Sequence, residues 1–184
     1  MNILDQIIEN KRAEIAESKR ICPLTELQAR LGQAAPRPDF GAAIRSVPMG
    51  LIAEVKRRSP SAGLIRDPFD PAAIARNYEL HGAHAISCLM DEKYFGGGVA
   101  DFSAVRNATD LPMLYKEFVV DSWQIVHAKL VGASAVLLIA SALSDRELQS
   151  FMKEVRSLGL LPLVEVHDRE EMQRAIQAGA DCIG

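Results

Sequence analysis

Charged side chains end several short apolar runs of the sequence. Glu54 and Lys56 lie in the run Leu-Ile-Ala-Glu-Val-Lys, Lys116 ends Pro-Met-Leu-Tyr-Lys, and Glu165 ends Leu-Pro-Leu-Val-Glu. A carboxylate and an amine held at one place can move protons to and from a substrate, and amines also attract anions. If the runs are neighbouring strands, the pattern predicts an acid–base site for an anionic substrate.

Each of these residues also has a plainer explanation. A lysine at a strand end is often a solvated boundary residue, Glu54 and Lys56 can form a simple ion pair, and Glu165 can be ordinary loop polarity. The loop 57–63 combines cations, hydroxyls and a glycine, which suits either a phosphate or a surface turn. The loop 91–98 ends in three glycines, which predicts either a mobile lid or a plain linker.

Apolar runs and helical segments alternate from Leu51 onward. The runs begin near Leu51, His84, Pro112, Ala135, Leu161 and Asp181. Helices are predicted between them at 71–81, 101–107, 122–130, 144–158 and 169–178. Three helices end in glycine, at Gly82, Gly132 and Gly179, as is typical of a left-handed helix stop. The alternation predicts a parallel α/β sheet, either doubly wound or a barrel, although no GxGxxG motif follows the first run.

The N-terminal part of the sequence lacks this alternation. It predicts an amphipathic helix capped by Asn2 and two short helices, at about 23–31 and 39–46. We therefore expect a helical extension over residues 1–48 and a βα-repeat region with six strands over residues 49–184, the whole forming one domain.

Composition excludes several classes of partner. A net charge of −3 provides no basic field for nucleic acid. The three cysteines are widely spaced and form no CxxC pair, so we expect reduced thiols in a cytoplasmic protein and no metal site. The charged N-terminus is no secretion signal, and no apolar stretch is long enough to cross a membrane.

Five motifs resemble those of the indole-3-glycerol-phosphate synthase family in order and spacing. They are IAEVKRRSPSAG at 52–63, LMDEKYFGGG at 89–98, LYKEFVVD at 114–121, AVLLIASAL at 135–143 and PLVEVHD at 162–168. The opening ILDQIIENKRAEI resembles the N-terminal extension of that family. The resemblance implies a TIM (β/α)8 barrel with an N-terminal helical extension, and a lyase of tryptophan biosynthesis that needs no cofactor or metal.

The resemblance also implies roles for individual residues. The substrate is 1-(2-carboxyphenylamino)-1-deoxyribulose 5-phosphate, and Lys116 matches the acid that protonates its ketone oxygen. Glu165 matches the group that helps to expel the hydroxyl and removes the ring proton. Lys56 matches the lysine that meets the substrate carboxylate, and Glu54 matches the glutamate that orients the lysines. The further matching contacts are Ser59 for the phosphate, and Phe95 and Phe118 for the aromatic ring.

The chain departs from the family pattern in sequence and in length. Met90 stands where threonine is usual, Tyr115 replaces a basic or apolar residue, and Glu117 replaces aspartate. The family continues for two more βα units, which carry further catalytic residues and the phosphate loops. We therefore expect a fragment truncated within strand six that is poorly stable and nearly inactive alone.

Other functions stay open at this point. Phosphoribosylanthranilate isomerase is also a phosphate-binding barrel, but it uses a Cys/Asp acid–base pair and lacks the N-terminal helices. A non-catalytic half-barrel remnant is the alternative outside enzymes. The expected partner is a phosphorylated aromatic carboxylate, with neither nucleic acid nor membrane, and fusion to other tryptophan-pathway domains is compatible with this assignment.

Overall fold

The computed structural model describes residues 2–184, which form two compact units. One unit comprises Pro36–Glu117 and Val131–Ala135. The other comprises the chain up to Ala35 together with Phe118–Leu130 and Val136–Gly184. The division between residues 48 and 49 stays a prediction.

Helices and strands alternate as the sequence predicts, with bounds that differ by a few residues. The helices are α1 Ile3–Ile21, α2 Leu24–Ala29, α3 Phe40–Arg45, α4 Pro71–Leu80, α5 Val99–Ala108, α6 Ser122–Val131, α7 Asp145–Ser157 and α8 Arg169–Gln177. The strands are β1 Ile52–Val55, β2 Arg58–Ser59, β3 Gly63–Leu64, β4 Ala85–Leu89, β5 Met113–Lys116, β6 Ala135–Ile139 and β7 Leu161–Glu165. Short 3-10 turns lie at Leu31–Gln33 and Ala140–Ala142.

The first unit is built on the parallel strands β1, β4 and β5. Glu54 is paired with Ser87 between β1 and β4, and Leu89 is paired with Lys116 between β4 and β5. The backbone N–H of Ser134 donates to Met113 of β5 at 2.8 Å, which sets the start of β6 beside β5. Strands β1, β4 and β5 thus run parallel in chain order, with the start of β6 next in line, as in a barrel, whereas a doubly wound sheet reverses its order.

The two faces of these strands differ because side chains alternate along a strand. Val55, Cys88 and Tyr115 share one face and are 1%, 1% and 3% exposed. The Tyr115 ring meets the edge of Phe102 from α5, with centroids 6.1 Å apart, so this face packs against the helices. Glu54 and Lys116 belong to the opposite face, as the alternation requires.

A small hairpin follows β1, where the sequence predicts only a loop. Strands β2 and β3 pair antiparallel, Arg58 with Leu64 and Ser59 with Gly63. Gly63 turns the chain with φ of 66°, a value that favours glycine. Two-residue strands contain too few positions to show a periodicity, which explains why the sequence did not indicate the hairpin.

The second unit contains β6 from Val136 onward, β7 and the N-terminal helix. The predicted sixth strand is present as a parallel bridge from Ile183 to Val164 of β7. Helix α1 begins with the predicted cap, because Asn2 and Asp5 exchange side-chain and backbone hydrogen bonds. Its C-terminal end is tied to α6 by a 2.8 Å bond from Trp123 Nε1 to the Cys22 carbonyl.

Removing the cap of α7 tests how its capping box contributes to stability. Ser144 Oγ accepts from the Glu147 N–H, and the Glu147 carboxylate accepts from Ser144. These bonds lower the pKa of Glu147, with a smaller contribution from Arg12. We expect Ser144→Ala to cost about 1 kcal/mol of unfolding free energy at neutral pH. Urea unfolding measures the loss, and Ser150→Ala on the exposed face of the same helix is the control.

The stability lost in Ser144→Ala should depend on pH, and the pKa of Glu147 gives the direction. Since the folded pKa of Glu147 is lowered, its extra stability is present above its ordinary pKa of 4.5 and is lost as the pH falls. The difference between the parent and Ser144→Ala should therefore shrink between pH 7 and acid conditions. A difference that stays constant with pH contradicts the role of the Glu147 charge.

Candidate active site

An ion pair marks the C-terminal end of β1. Lys56 Nζ lies 2.5 Å from Glu54 Oε1, and both side chains are 32% exposed. The second carboxylate oxygen, Oε2, accepts from Ser87 Oγ at 3.4 Å, and the Glu54 carbonyl accepts from Tyr78 Oη at 3.1 Å. The ion pair that the sequence left open as one explanation for Glu54 and Lys56 is therefore present, and it is half-buried rather than fully desolvated.

Lys116 lies on the same sheet face, two strands away. It ends β5 opposite Leu89, which follows Ser87 by two residues on β4. Since Ser87 pairs with Glu54, alternation puts Glu54, Ser87 and Lys116 on one face. Lys116 is half-buried, and its carbonyl accepts from the Met90 N–H at 3.0 Å. Two amines and a carboxylate thus share one face near the C-terminal strand ends.

A cavity of about 410 Å³ adjoins the β1 end of this face. Glu54 and Lys56 line one side of it, and the side chains from the following loop and helix α4 are Ile65, Arg66, Ile74 and Tyr78. Its wall therefore combines a carboxylate, two cations and apolar surface. Such a lining suits a ligand that is both anionic and partly apolar.

The predicted phosphate contact lies in the hairpin after β1. Ser59 is half-buried, and its Oγ accepts from the Ala62 N–H at 3.1 Å and lies 3.4 Å from Ser61 Oγ. The turn itself therefore already uses one acceptor position of this hydroxyl. Its O–H donor can still turn to an incoming oxygen, because a serine hydroxyl rotates freely.

Two arginines connect the hairpin to the loop after β4. Arg58 Nη2 donates to the carbonyls of Glu92 and Lys93 at 3.0 and 2.6 Å. The Arg57 guanidinium lies 4.5 Å from the centre of the Phe69 ring and 3.8 Å from Asp101 Oδ1. Burial raises the pKa of Asp101, and Arg57 opposes that rise. These contacts indicate that both guanidinium groups hold protein segments together.

The loop after β4, which contains Phe95, is closely hydrogen-bonded. Asp91 is fully buried, and its Oδ1 accepts from the N–H groups of Tyr94 at 2.7 Å and Phe95 at 3.3 Å. The Gly97 N–H donates to the Asp91 carbonyl, and the Gly98 N–H donates to Leu89 of β4. The glycine triplet therefore lets the chain pack against the end of β4, and Phe95 is half-buried within this turn.

Glu165 and Phe118 belong to the other unit. Glu165 ends β7 with its side chain 27% exposed, and Oε1 lies 3.4 Å from His167 Nε2. The carboxylate of Glu171 accepts from the His167 N–H at 2.8 Å, which orders the loop after β7. Phe118 is half-buried, and its carbonyl accepts from Gln124 Nε2 at 2.8 Å. The convergence of Glu165 with the two lysines stays a prediction.

The three departures from the family pattern are all buried. Met90, Tyr115 and Glu117 are 6%, 3% and 6% exposed. Burial, and secondarily the charge of Glu117, raise the pKa of the Tyr115 hydroxyl well above its ordinary value. Tyr115 faces the helices rather than the Lys116 side, so it affects packing and not the charged face.

Sequence reasoning did not single out Ser87, although it contacts the Glu54 carboxylate. The available signal was one hydroxyl in the apolar run Ala-Ile-Ser-Cys-Leu of β4. Cys88, its neighbour, is buried on the helix side. Burial first, and then the negative charges of Asp101 and Glu54, raise the pKa of the Cys88 thiol to about 12. A thiol so disfavoured as an anion is a poor candidate for the Cys/Asp pair of the isomerase alternative.

Within residues 2–184, no helix has the length and apolar character needed to traverse a bilayer. The same residues contain no group of three or more histidine, cysteine or acidic side chains placed to hold a metal ion.

The chain is similar in sequence to proteins of one family. Residues 4–184 match the family model described as indole-3-glycerol phosphate synthase. Indole-3-glycerol phosphate synthase 1 of Streptomyces coelicolor is 46% identical over 184 residues, which are 100% of this chain and 68% of that protein. The indole-3-glycerol phosphate synthase of Acidithiobacillus ferrooxidans is 46% identical over 187 residues, covering 100% of this chain and 71% of that protein.

A solved structure supports the fold independently. It is the N-acetylmannosamine-6-phosphate 2-epimerase from Clostridium perfringens, with a TM-score of 0.54 and 16% identity. The match covers 73% of this chain and 60% of that one. At this identity the likeness concerns the fold alone.

The packing of Gly97 against β4 gives a direct test of the loop that carries Phe95. A Cβ at Gly97 would lie 2.1 Å from the Leu89 carbonyl oxygen, which is backbone and cannot move aside cheaply. We expect Gly97→Ala to lower the unfolding free energy by about 3 kcal/mol, measured by thermal and urea unfolding. Gly32→Ala is the control, because an added Cβ there would meet no other part of the protein within 4 Å. Equal stability of both variants contradicts the packing described.

Proposed function

The chain belongs to the indole-3-glycerol phosphate synthase family, the lyases that form the indole ring in tryptophan biosynthesis, and from this premise we propose how its residues act. The substrate, 1-(2-carboxyphenylamino)-1-deoxyribulose 5-phosphate, carries a carboxylate, a phosphate and an aromatic ring. A bond forms between a ring carbon and the ketone carbon, and carbon dioxide and water leave. No cofactor is needed for these steps.

One observation carries the assignment of residues. Glu54, Lys56 and Lys116 lie on one sheet face near the C-terminal ends of parallel strands. In barrel enzymes this end of the strands bears the active site, whereas the other end serves stability. Positive charge from two lysines suits an anionic substrate. The Glu54 carboxylate reduces the electrostatic repulsion between the two amines.

Lys116 acts as the general acid in this proposal. Attack of the aromatic carbon places negative charge on the ketone oxygen, and a protonated amine beside it donates a proton as that charge develops. Lys116 suits the role because it ends β5 on the charged face and is half-buried. Lys56 meets the substrate carboxylate, and Glu54 orients Lys56 through their 2.5 Å contact.

Glu165 completes the site from β7. Loss of water requires a group that assists departure of the hydroxyl, and aromatisation requires a base for the ring proton. A carboxyl group does both in turn, because the acid donates its proton to the departing hydroxyl and the carboxylate so formed then accepts the ring proton. Glu165 stands at a strand end equivalent to that of Lys116. Phe95 and Phe118 supply apolar surface for the aromatic ring, and the Ser59 hydroxyl donates to the phosphate.

Other features of the assignment follow from the family. We propose that the protein acts in the cytoplasm, which membership of this biosynthetic family favours. The N-terminal helices before residue 49 act as an extension of the barrel domain. Fusion to other tryptophan-pathway domains stays compatible with the family.

Replacing Lys116 tests the general acid. In the natural protein that carries these residues, Lys116→Ala is expected to lower kcat/KM for indole formation by about 10²–10⁴-fold. Lys153→Ala, an exposed lysine on α7, is the matched control and should leave turnover unchanged. Product is followed by the absorbance and fluorescence of the indole ring. If Lys116→Ala keeps activity within a few-fold of the unmutated protein, Lys116 is not the general acid. If the unmutated protein itself shows no turnover, the non-catalytic alternative is favoured.

Replacing Glu165 tests whether β7 contributes to the same site. Glu165→Gln keeps the shape of the side chain but removes its proton-accepting oxygen, so kcat should fall by about 10²-fold or more while KM changes little. Glu170→Gln on the exposed first turn of α8 is the control. A Glu165→Gln variant that raises KM alone indicates a binding role, and one that behaves like Glu170→Gln places Glu165 outside the site.

A further inference from the structure

Ser87 lies on β4, the strand next to β1, beside the Glu54 carboxylate. It is 4% exposed in the middle of β4 and pairs with Glu54 in the strand register. Its Oγ donates to Glu54 Oε2 at 3.4 Å, while Oε1 of the same carboxylate accepts from Lys56 at 2.5 Å. The two carboxylate oxygens therefore have different partners. One partner is a short side chain held in the sheet, Ser87, and the other is the long side chain of Lys56.

A hydroxyl at this position has few alternatives to Glu54. On its own face of the sheet, Ser87 is flanked along β4 by Ala85 and Leu89, and on the β5 side it is paired with Leu114, so these neighbours offer no polar side-chain atom. Burying a hydroxyl without a hydrogen bond is costly. The Glu54 carboxylate satisfies it, and the hydroxyl in turn restricts the torsion angles of the carboxylate.

We propose that Ser87 is a positioning residue of the lyase site. Its hydroxyl holds the Glu54 carboxylate so that the other oxygen keeps the Lys56 ammonium directed at the substrate carboxylate. The inference rests on the proposed function, because it assigns Ser87 an effect only through Glu54 and Lys56. The side chain touches neither the substrate nor the reacting atoms in this role.

A double-mutant cycle separates this role from packing. Ser87→Ala, Glu54→Gln and the double variant are prepared in the natural protein that carries these residues. Ser87→Ala alone should lower kcat/KM about tenfold, the lower range for a hydrogen bond to a charged group, because the bond is long. In the Glu54→Gln background the same substitution should change kcat/KM less than about twofold, since its target charge is already absent.

A matched control exists in the same unit. Ser134 is 6% exposed, and its Oγ has no hydrogen-bond partner within residues 2–184. Ser134→Ala therefore removes a buried hydroxyl of equal size without breaking a bond, and should leave kcat/KM unchanged. Ser87→Thr keeps the hydroxyl on a β-branched side chain that suits a strand, and should recover most of the activity. Thermal unfolding of each variant reports any loss of folding.

The outcomes are distinct. Equal tenfold losses in the parent and the Glu54→Gln background, or a Ser87→Ala variant that matches Ser134→Ala, overturn the inference. So does a Ser87→Thr variant that folds normally but stays as slow as Ser87→Ala. If Lys116→Ala abolishes turnover while Ser87→Ala does not change it, only this inference fails. If Lys116→Ala keeps full activity, the proposed function fails instead.

Discussion

The parallel register of β1, β4 and β5 pairs Glu54 with Ser87 and Leu89 with Lys116. The placement of Glu54, Ser87 and Lys116 on one face of the sheet depends on this pairing. Because side chains alternate along strands, a slip of one residue would turn Lys116 toward the helices and Tyr115 toward the charged face. The nearly complete burial of Tyr115 against α5 opposes such a slip, so apolar packing on one face holds the charged groups in place on the other.

The two loops that follow β1 and β4 are held by hydrogen bonds between charged side chains and backbone groups. Arg58 connects the hairpin after β1 to the carbonyls of the loop after β4. Asp91 stabilises that loop by accepting hydrogen bonds from its backbone N–H groups. Gly97 allows the loop to approach the end of β4 more closely than any side chain would permit. These charge-assisted bonds give short segments a defined position without a core of their own.

The electrostatic arrangement follows from the same sheet face. Two amines on one face repel each other, and Glu54 offsets part of that repulsion while leaving a net positive charge for an anion. Because Glu54 and Lys56 are each 32% exposed, the pair is partly solvated, and neither charge bears the full cost of burial. A partly solvated site with net positive charge suits a carboxylate or a phosphate.

The sequence alone determined the alternation of strands and helices, because buried parallel strands and glycine-ended helices leave a local pattern. It also located Glu54, Lys56, Lys116 and Glu165 at strand ends, since charges interrupt apolar runs. Tertiary structure decided what local pattern cannot contain. The hairpin after β1 is too short for a periodicity, and the contact of Ser87 with Glu54 joins residues 33 positions apart. Only the register between strands determines which of many buried side chains touch.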